Sequence, residues 1–133
     1  MTFVLDVSVT VAWCLPDEES EIANRALDRL RSDEAVVPAL WWFELRNALV
    51  VNERRGRLTE TETAAFLSDL GRLPIRLDES PPNSGLVLAL ARRHGLTVYD
   101  AAYLEAGVRH SAPVATLDRK LAAAAEAEGV GVV

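Results

Sequence analysis

Short unbroken apolar runs alternate along this chain with longer stretches in which apolar residues recur every three or four positions. Phe3-Val4-Leu5, Ala35-Val36-Val37 and Val114–Thr116 are the short runs, and Ile75–Leu77, with Arg76 at its centre, is a further strand candidate. Runs so brief and so uniformly apolar read as strands covered on both faces. The stretches between them read as helices. Ser8 is the predicted cap of a short helix through Val11 and Ala12 toward Leu15, which Pro16 breaks. Asp17 is the predicted cap of a second helix, with Glu18, Glu19 and Glu21 in its first turn and Ile22, Ala26, Leu27 and Leu30 on one apolar face. Pro38 opens a third helix that runs to about Arg55, closed by Gly56. Thr59 and Glu62 have capping-box spacing at the head of a helix carrying Phe66, Leu67 and Leu70 and ending at Gly71. After the Pro81-Pro82 loop, a helix from Ser84 closes at Gly95. Leu96 to Tyr99 reads as a short extended stretch leading into a helix from Asp100, and Asp118 as the cap of an alanine-rich helix ending at Gly129. Val130 to Val133 reads as a last edge strand.

Strands separated by helices imply an α/β fold, with a central, mostly parallel sheet flanked by helices on both faces. A chain of 133 residues suits a single domain spanning residues 1–133, and no internal repeat or linker divides it. With 50% hydrophobic and 26% charged residues, it is an ordinary globular composition and not a disordered one. The apolar runs are too short to span a bilayer, and no basic leader precedes the first strand. Membrane association is not expected. Cys14, the only cysteine, sits among Ala12, Trp13 and Leu15 and is expected to be a small buried apolar residue. A reducing, cytoplasmic location follows as the default.

The net charge of −6 argues against broad nonspecific binding to nucleic acid. The basic clusters Arg54-Arg55-Arg57, Arg92-Arg93-His94 and Arg109-His110 fall at helix ends, where solvated caps account for them. Trp13, Trp41 and Trp42 have apolar neighbours and are expected to pack in the core, although one of them could stack on a base at a site rim.

The acidic residues are less easily accommodated. Asp6 follows the first strand, Glu44 interrupts Leu40-Trp41-Trp42-Phe43, Asp100 follows Leu96–Tyr99, and Asp118 follows Val114–Leu117. Two have simple explanations, since Asp100 and Asp118 both stand where a helix N-cap is expected. Asp6 can be a turn residue. Glu44 is the hardest to explain, because Leu40, Trp41, Ala48 and Val51 neighbour its helical face and Asn47 brings a second polar group there. Pairing with Arg46 or Arg25 is the bland alternative. In open parallel sheets, sites form at the carboxyl ends of strands. Carboxylates gathered there within about 4 Å would repel by about 4 kcal/mol per pair at an effective dielectric of about 20. Such a cluster calls for cations. An all-oxygen donor set suits Mg²⁺ or Mn²⁺, and neither histidine nor Cys14 has zinc-ligand spacing. Ser8 and Thr116 are candidate partners of the ligands.

These segments together resemble the PIN-domain ribonucleases, in particular the VapC-type toxins of toxin–antitoxin modules. Val4-Leu5-Asp6-Val7-Ser8 is similar to the family's opening motif, and Trp42-Phe43-Glu44-Leu45-Arg46-Asn47 to its central helix. Tyr99-Asp100-Ala101-Ala102-Tyr103-Leu104 and Thr116-Leu117-Asp118-Arg119 are similar to its third and fourth acidic motifs. The resemblance covers essentially the whole chain. It implies a PIN-like fold and a Mg²⁺- or Mn²⁺-dependent endoribonuclease that hydrolyses RNA with a metal-activated water. Asp6, Glu44, Asp100 and Asp118 would hold metal, with Ser8, Thr116 and Asn47 supporting them. It further implies a homodimer neutralised by a cognate VapB-type antitoxin, contact with operator DNA only through that antitoxin, and tRNA or rRNA as substrate. Two rivals remain at this point. One is a noncatalytic PIN-like binding module in which the acids only cap helices. The other is a haloacid-dehalogenase-like phosphatase, which usually has a second Asp where this chain has Ser8.

Overall fold

β1 (Thr2–Leu5) lies between β2 (Glu34–Val37) and β4 (Val114–Ala115), and β3 (Ile75–Leu77) forms the edge beyond β2. All pairings are parallel, with Phe3 opposite Ala35, Val4 opposite Val114 and Val36 opposite Arg76. The computed structural model describes all residues, Met1–Val133. Phe3, Val4, Leu5, Ala35, Val36 and Val37 are fully buried. Successive strand residues point to opposite faces, so both faces are covered at β1 and β2, while the edge strand β3 is largely exposed. This is the α/β architecture expected from the alternating pattern.

Seven helices supply the cover: α1 (Val7–Cys14), α2 (Glu21–Arg29), α3 (Ala39–Arg54), α4 (Glu60–Leu70), α5 (Ser84–His94), α6 (Val98–His110) and α7 (Arg119–Ala127). α6 packs on β1 and β4, flanked by α5 and α7, while α1 packs on α2 and α3. No helix is long and apolar enough to cross a membrane. The chain adds β2 and β3 on one side of β1 and then returns to place β4 on the other. The reversal puts a topological switch point at the carboxyl ends of β1 and β4, the usual place for a site in such sheets.

Several local expectations hold. The Thr59–Glu62 capping box forms in both directions, and α5 begins at Ser84 and is closed by Gly95 at φ 62°. Others are corrected. Ser8 does not cap α1; Asp6 occupies that position, without a side-chain capping bond. α2 is capped by Ser20, because Pro16–Glu18 form a separate 3-10 turn and Asp17 turns outward to Arg57. Leu96–Tyr99 is not extended: Thr97 caps α6, whose helix already includes Val98 and Tyr99. Val130–Val133 makes only one bridge, Val132 to Val114, since Gly129 and Gly131 both take φ 79° and break an extended run. Trp41 is in the core, while Trp42 is 41% exposed. Cys14 is only half-buried.

The Arg109-His110 cluster departs furthest from a solvated cap. Arg109 forks onto Glu105, which is fully buried, at 2.8 Å through both Nε and Nη2. Asp78 Oδ2 lies 2.6 Å from Arg109 Nη2 and 3.1 Å from His110 Nε2, a charge contact without a well-directed hydrogen bond. Glu105 also accepts the Asn83 N–H at 3.4 Å. Burial pushes the Asp78 carboxyl up, but Arg109 and His110 outweigh it and hold it at about 2. Glu105 and Asp78 raise the Arg109 guanidinium in turn. This network pins the loop after β3 to α6.

Candidate active site

Asp6 follows β1 directly and is 4% exposed. Its backbone N–H continues the ladder to the Ala115 carbonyl at 3.0 Å, which fixes the residue against β4. Its Oδ2 accepts hydrogen bonds from Ser8 Oγ at 2.6 Å and Thr116 Oγ1 at 2.7 Å. Each hydroxyl is itself an acceptor from the turn that leads into α7. Leu117 N–H donates to Ser8 Oγ at 3.0 Å, and Asp118 N–H to Thr116 Oγ1 at 3.0 Å. With those lone pairs engaged, both hydroxyl protons point at Asp6. Both fall on Oδ2, so Oδ1 is clear of them. The side chain is fixed before any ligand arrives. Burial raises the Asp6 carboxyl, the two hydroxyls and the Val7 backbone oppose that rise, and the charge of Asp118 adds to it.

Glu44 lies in the second turn of α3 at the edge of its buried stripe of Trp41, Leu45 and Leu49. Neither Arg46 nor Arg25 pairs with it. Its Oε1 accepts the Tyr103 hydroxyl at 2.6 Å. Burial raises the Glu44 carboxyl, Tyr103 opposes this, and Asp6 and Asp100 push it further up. Tyr103 is fully buried on α6, and burial together with Glu44 keeps its phenol protonated as a fixed donor.

Asp100 stands in the first turn of α6, where Thr97 Oγ1 accepts its N–H at 3.1 Å. Thr97 performs the capping, so the Asp100 carboxylate is free for another role. Burial raises it, as do Asp6 and Asp118, and Thr97 opposes them. Asp118 does cap: its Oδ1 accepts from the Lys120 and Leu121 N–H groups at 2.8 and 3.1 Å, leaving Oδ2 outside the cap.

The fold thus brings Asp6 into the electrostatic field of Glu44, Asp100 and Asp118, and Asp100 into that of Glu44 and Asp118. No Lys, Arg or His forms an ion pair with any of them. As the side chains stand, no three acidic, His or Cys groups are close enough to grip one ion. Carboxylates lacking a counter-charge repel one another, and Glu44 is drawn to Tyr103. None of the cavities in the structure is lined by these acids; Asp6 is buried, Glu44 and Asp100 are half-buried and Asp118 is exposed. Asn47, expected beside Glu44, is exposed and makes no hydrogen bond to an acid, because its position turns past the edge of the buried stripe. Tyr103 escaped notice as a site residue. Its spacing of three from Asp100, which puts the two on one helical face, was the available signal.

Comparison with known proteins bears on the family and the fold. The PIN domain family model matches residues 3–127. The chain is 35% identical over 124 residues to Ribonuclease VapC3 from Pyrobaculum aerophilum, covering 92% of this chain and 93% of that protein. Among solved structures, PAE2754 from Pyrobaculum aerophilum superposes with a TM-score of 0.75 at 22% identity, covering 100% of this chain and 88% of the other. FitAcB from Neisseria gonorrhoeae superposes with a TM-score of 0.61 at 20% identity, covering 95% and 94%. These two likenesses concern the fold.

Proposed function

We propose that this chain, which belongs to the PIN-domain family and is of the VapC ribonuclease type, is a divalent-metal-dependent endoribonuclease that acts as the toxin of a toxin–antitoxin pair. The observation that carries the reading is Asp6: a buried carboxylate oriented by two hydroxyls, facing three further acids, with no cation of the protein's own. Raised carboxyls without a basic partner are what a cation-binding cluster looks like before its cation is counted. The all-oxygen donor set fits Mg²⁺ or Mn²⁺. Asp6, Glu44 and Asp100 would hold the ion, directly or through waters, and Asp118 would complete the cluster with the oxygen left outside its cap.

Mechanism follows from what each residue holds in place. A bound divalent ion supplies Lewis acidity, offsetting phosphate charge and making water a better nucleophile. Ser8 and Thr116 hold Asp6 by its Oδ2 at the β1–β4 switch point, leaving Oδ1 clear of both hydroxyls. Tyr103 holds Glu44 by its Oε1, and its phenol stays a donor throughout. Ser8, bonded to Asp6 and Leu117, occupies the place where a haloacid-dehalogenase-like phosphatase would want its second Asp.

On this reading residues 1–133 act as one PIN domain, in the cytoplasm, as a homodimer. A cognate VapB-type antitoxin covers the acids and carries any contact with operator DNA. tRNA or rRNA is the substrate. The test is cleavage of RNA by the purified protein with Mg²⁺ or Mn²⁺. EDTA and Asp6→Asn should each abolish cleavage while the melting profile stays cooperative. Full activity in EDTA, or in Asp6→Asn, would refute the mechanism.

A further inference from the structure

The buried polar or charged residues of this fold are Asp6, Thr10, Asn52, Glu105 and Thr116, and three of them, Asp6, Thr10 and Thr116, are joined through Asp6. Thr116 serves the Asp6 carboxylate. Thr10 does not touch that carboxylate. It lies one turn on in α1, is fully buried, and its Oγ1 accepts the Trp41 indole N–H at 3.0 Å. With a lone pair taken by the indole, the hydroxyl proton is directed to the Asp6 backbone carbonyl, at a long 3.4 Å. The same carbonyl accepts the Val9 N–H at 3.2 Å, so α1 begins on it.

Trp41 is buried in the first turn of α3, and Glu44 follows it by three positions. One hydrogen-bonded chain therefore ties the backbone of Asp6 to the turn of α3 that leads into Glu44. The packing of α1 on α3 does not require it. An aliphatic side chain on α1 and a phenyl ring on α3 could fill that space without a hydroxyl and an indole N–H, both costly to bury unless bonded. What the pair adds is register. A hydrogen bond is directional and restricts how the two helices sit, whereas apolar packing tolerates repacking. Register matters between these helices because the Asp6 and Glu44 carboxylates repel each other across them.

We propose that Thr10 and Trp41 are positioning residues: their hydrogen bond fixes α3 against α1 and so sets how Asp6 and Glu44 present their oxygens to a shared divalent ion. The proposal rests on the metal-dependent reading above. α1 also carries a control. Trp13, one turn beyond Thr10, donates its indole N–H to the Ala23 carbonyl of α2 at 2.8 Å. That is a hydrogen bond from the same helix that leads away from Glu44.

The test uses the full chain, with Mn²⁺ alone in calorimetry at a temperature where every variant is folded, and RNA cleavage over a range of Mn²⁺. Thr10→Val and Trp41→Phe should each weaken Mn²⁺ binding by about 10-fold. The double variant should be no weaker than either single one, because both remove one bond. Thr10→Ser, which keeps the hydroxyl, should bind Mn²⁺ like the unaltered chain. Trp13→Phe should lower the melting temperature as Trp41→Phe does, yet leave Mn²⁺ binding unchanged. In cleavage, Thr10→Val and Trp41→Phe should need more Mn²⁺ with KM for RNA unaltered, and saturating Mn²⁺ should restore most of kcat.

Unchanged Mn²⁺ affinity in Thr10→Val and Trp41→Phe would reduce the pair to a packing contact and overturn the proposal. So would an equal loss of affinity in Trp13→Phe, which general loosening of α1 would explain, or Thr10→Ser behaving like Thr10→Val. A raised KM for RNA at unchanged Mn²⁺ affinity would assign Trp41 to the substrate and also overturn it. Each of these leaves the ribonuclease reading intact. An unaltered chain that binds neither Mn²⁺ nor Mg²⁺ would sink both.

Discussion

Two groups of buried carboxylates occupy this small fold, and the protein treats them oppositely. Asp78 and Glu105 are closed onto Arg109, with His110 beside Asp78, so their charge is balanced from within the chain. Asp6, Glu44 and Asp100 receive hydroxyls, one backbone N–H and the repulsion of neighbouring carboxylates, Asp118 included, but no cation. The Asp78 carboxyl is held down at about 2, whereas the other three are raised. Burial acts in the same direction on both groups. The presence or absence of an internal cation decides the sign of the shift. A compensated cluster holds the fold together, and an uncompensated one stores a demand for positive charge that a ligand can meet.

The sharpest way to test this contrast is to remove one charge from each side. Asp6→Asn should lower RNA cleavage by about 100-fold or more, beyond what loss of a mere supporting partner costs a metal site. In EDTA at neutral pH its unfolding free energy should stay within about 1 kcal/mol of the unaltered chain or exceed it, because a repelled carboxylate is gone. Arg109→Met should do the reverse. It leaves Glu105 and Asp78 buried without a counter-charge and should cost about 3–5 kcal/mol in urea unfolding. A large stability loss in Asp6→Asn, or none in Arg109→Met, would break the comparison.

Smaller effects sharpen it. Mg²⁺ or Mn²⁺ at about 100 times its Kd should stabilise the unaltered chain by about 2.7 kcal/mol in thermal melts and Asp6→Asn by much less. Tyr103→Phe removes the donor to Glu44. It should reduce cleavage by about 10- to 100-fold and stability by about 1 kcal/mol, read from initial rates and denaturant curves on one preparation.

The pH dependence should be smallest and should differ in sign between the two groups. Asp6, Glu44 and Asp100 have raised values in the fold, so their protonated forms favour folding. In EDTA their contribution is complete below about pH 4 and is lost as pH rises through the raised values. Asp78 is lowered, so its contribution is complete above about pH 4 and is lost as pH falls toward about 2. Metal-free stability should therefore pass through a maximum near pH 4 from these groups. A monotonic rise from pH 3 to 7 in chemical unfolding would count against the assignment.

Much of the fold is legible in the sequence because strands buried on both faces must be apolar without interruption, and caps and glycines mark where helices stop. The acids were legible as misplacements for the same reason. Their partners were harder to see. Thr97 and Asp100 both qualify as caps by residue type, and which one serves depends on where the first turn of α6 begins. Arg109 sits at a helix end, as a dipole-stabilising cation would, yet the loop after β3 folds over it and turns it into a buried counter-charge. Asn47 shares a stretch with Glu44 but lies past the edge of the buried stripe.

By itself, the sequence determined the alternation of strands and helices, the excess of acid over base, and the four positions at which a carboxylate interrupts apolar surroundings. Those are local properties, set by residue type and spacing. Only the tertiary structure decided which carboxylates find a cation and which do not. Tyr103 meets Glu44 across 59 positions of sequence, and Thr116 meets Asp6 across 110. Such pairings arise where β4 returns to the far side of β1, and no local rule specifies them. The balance of charge around a buried group is a property of the whole fold, because it depends on every element packed against that group.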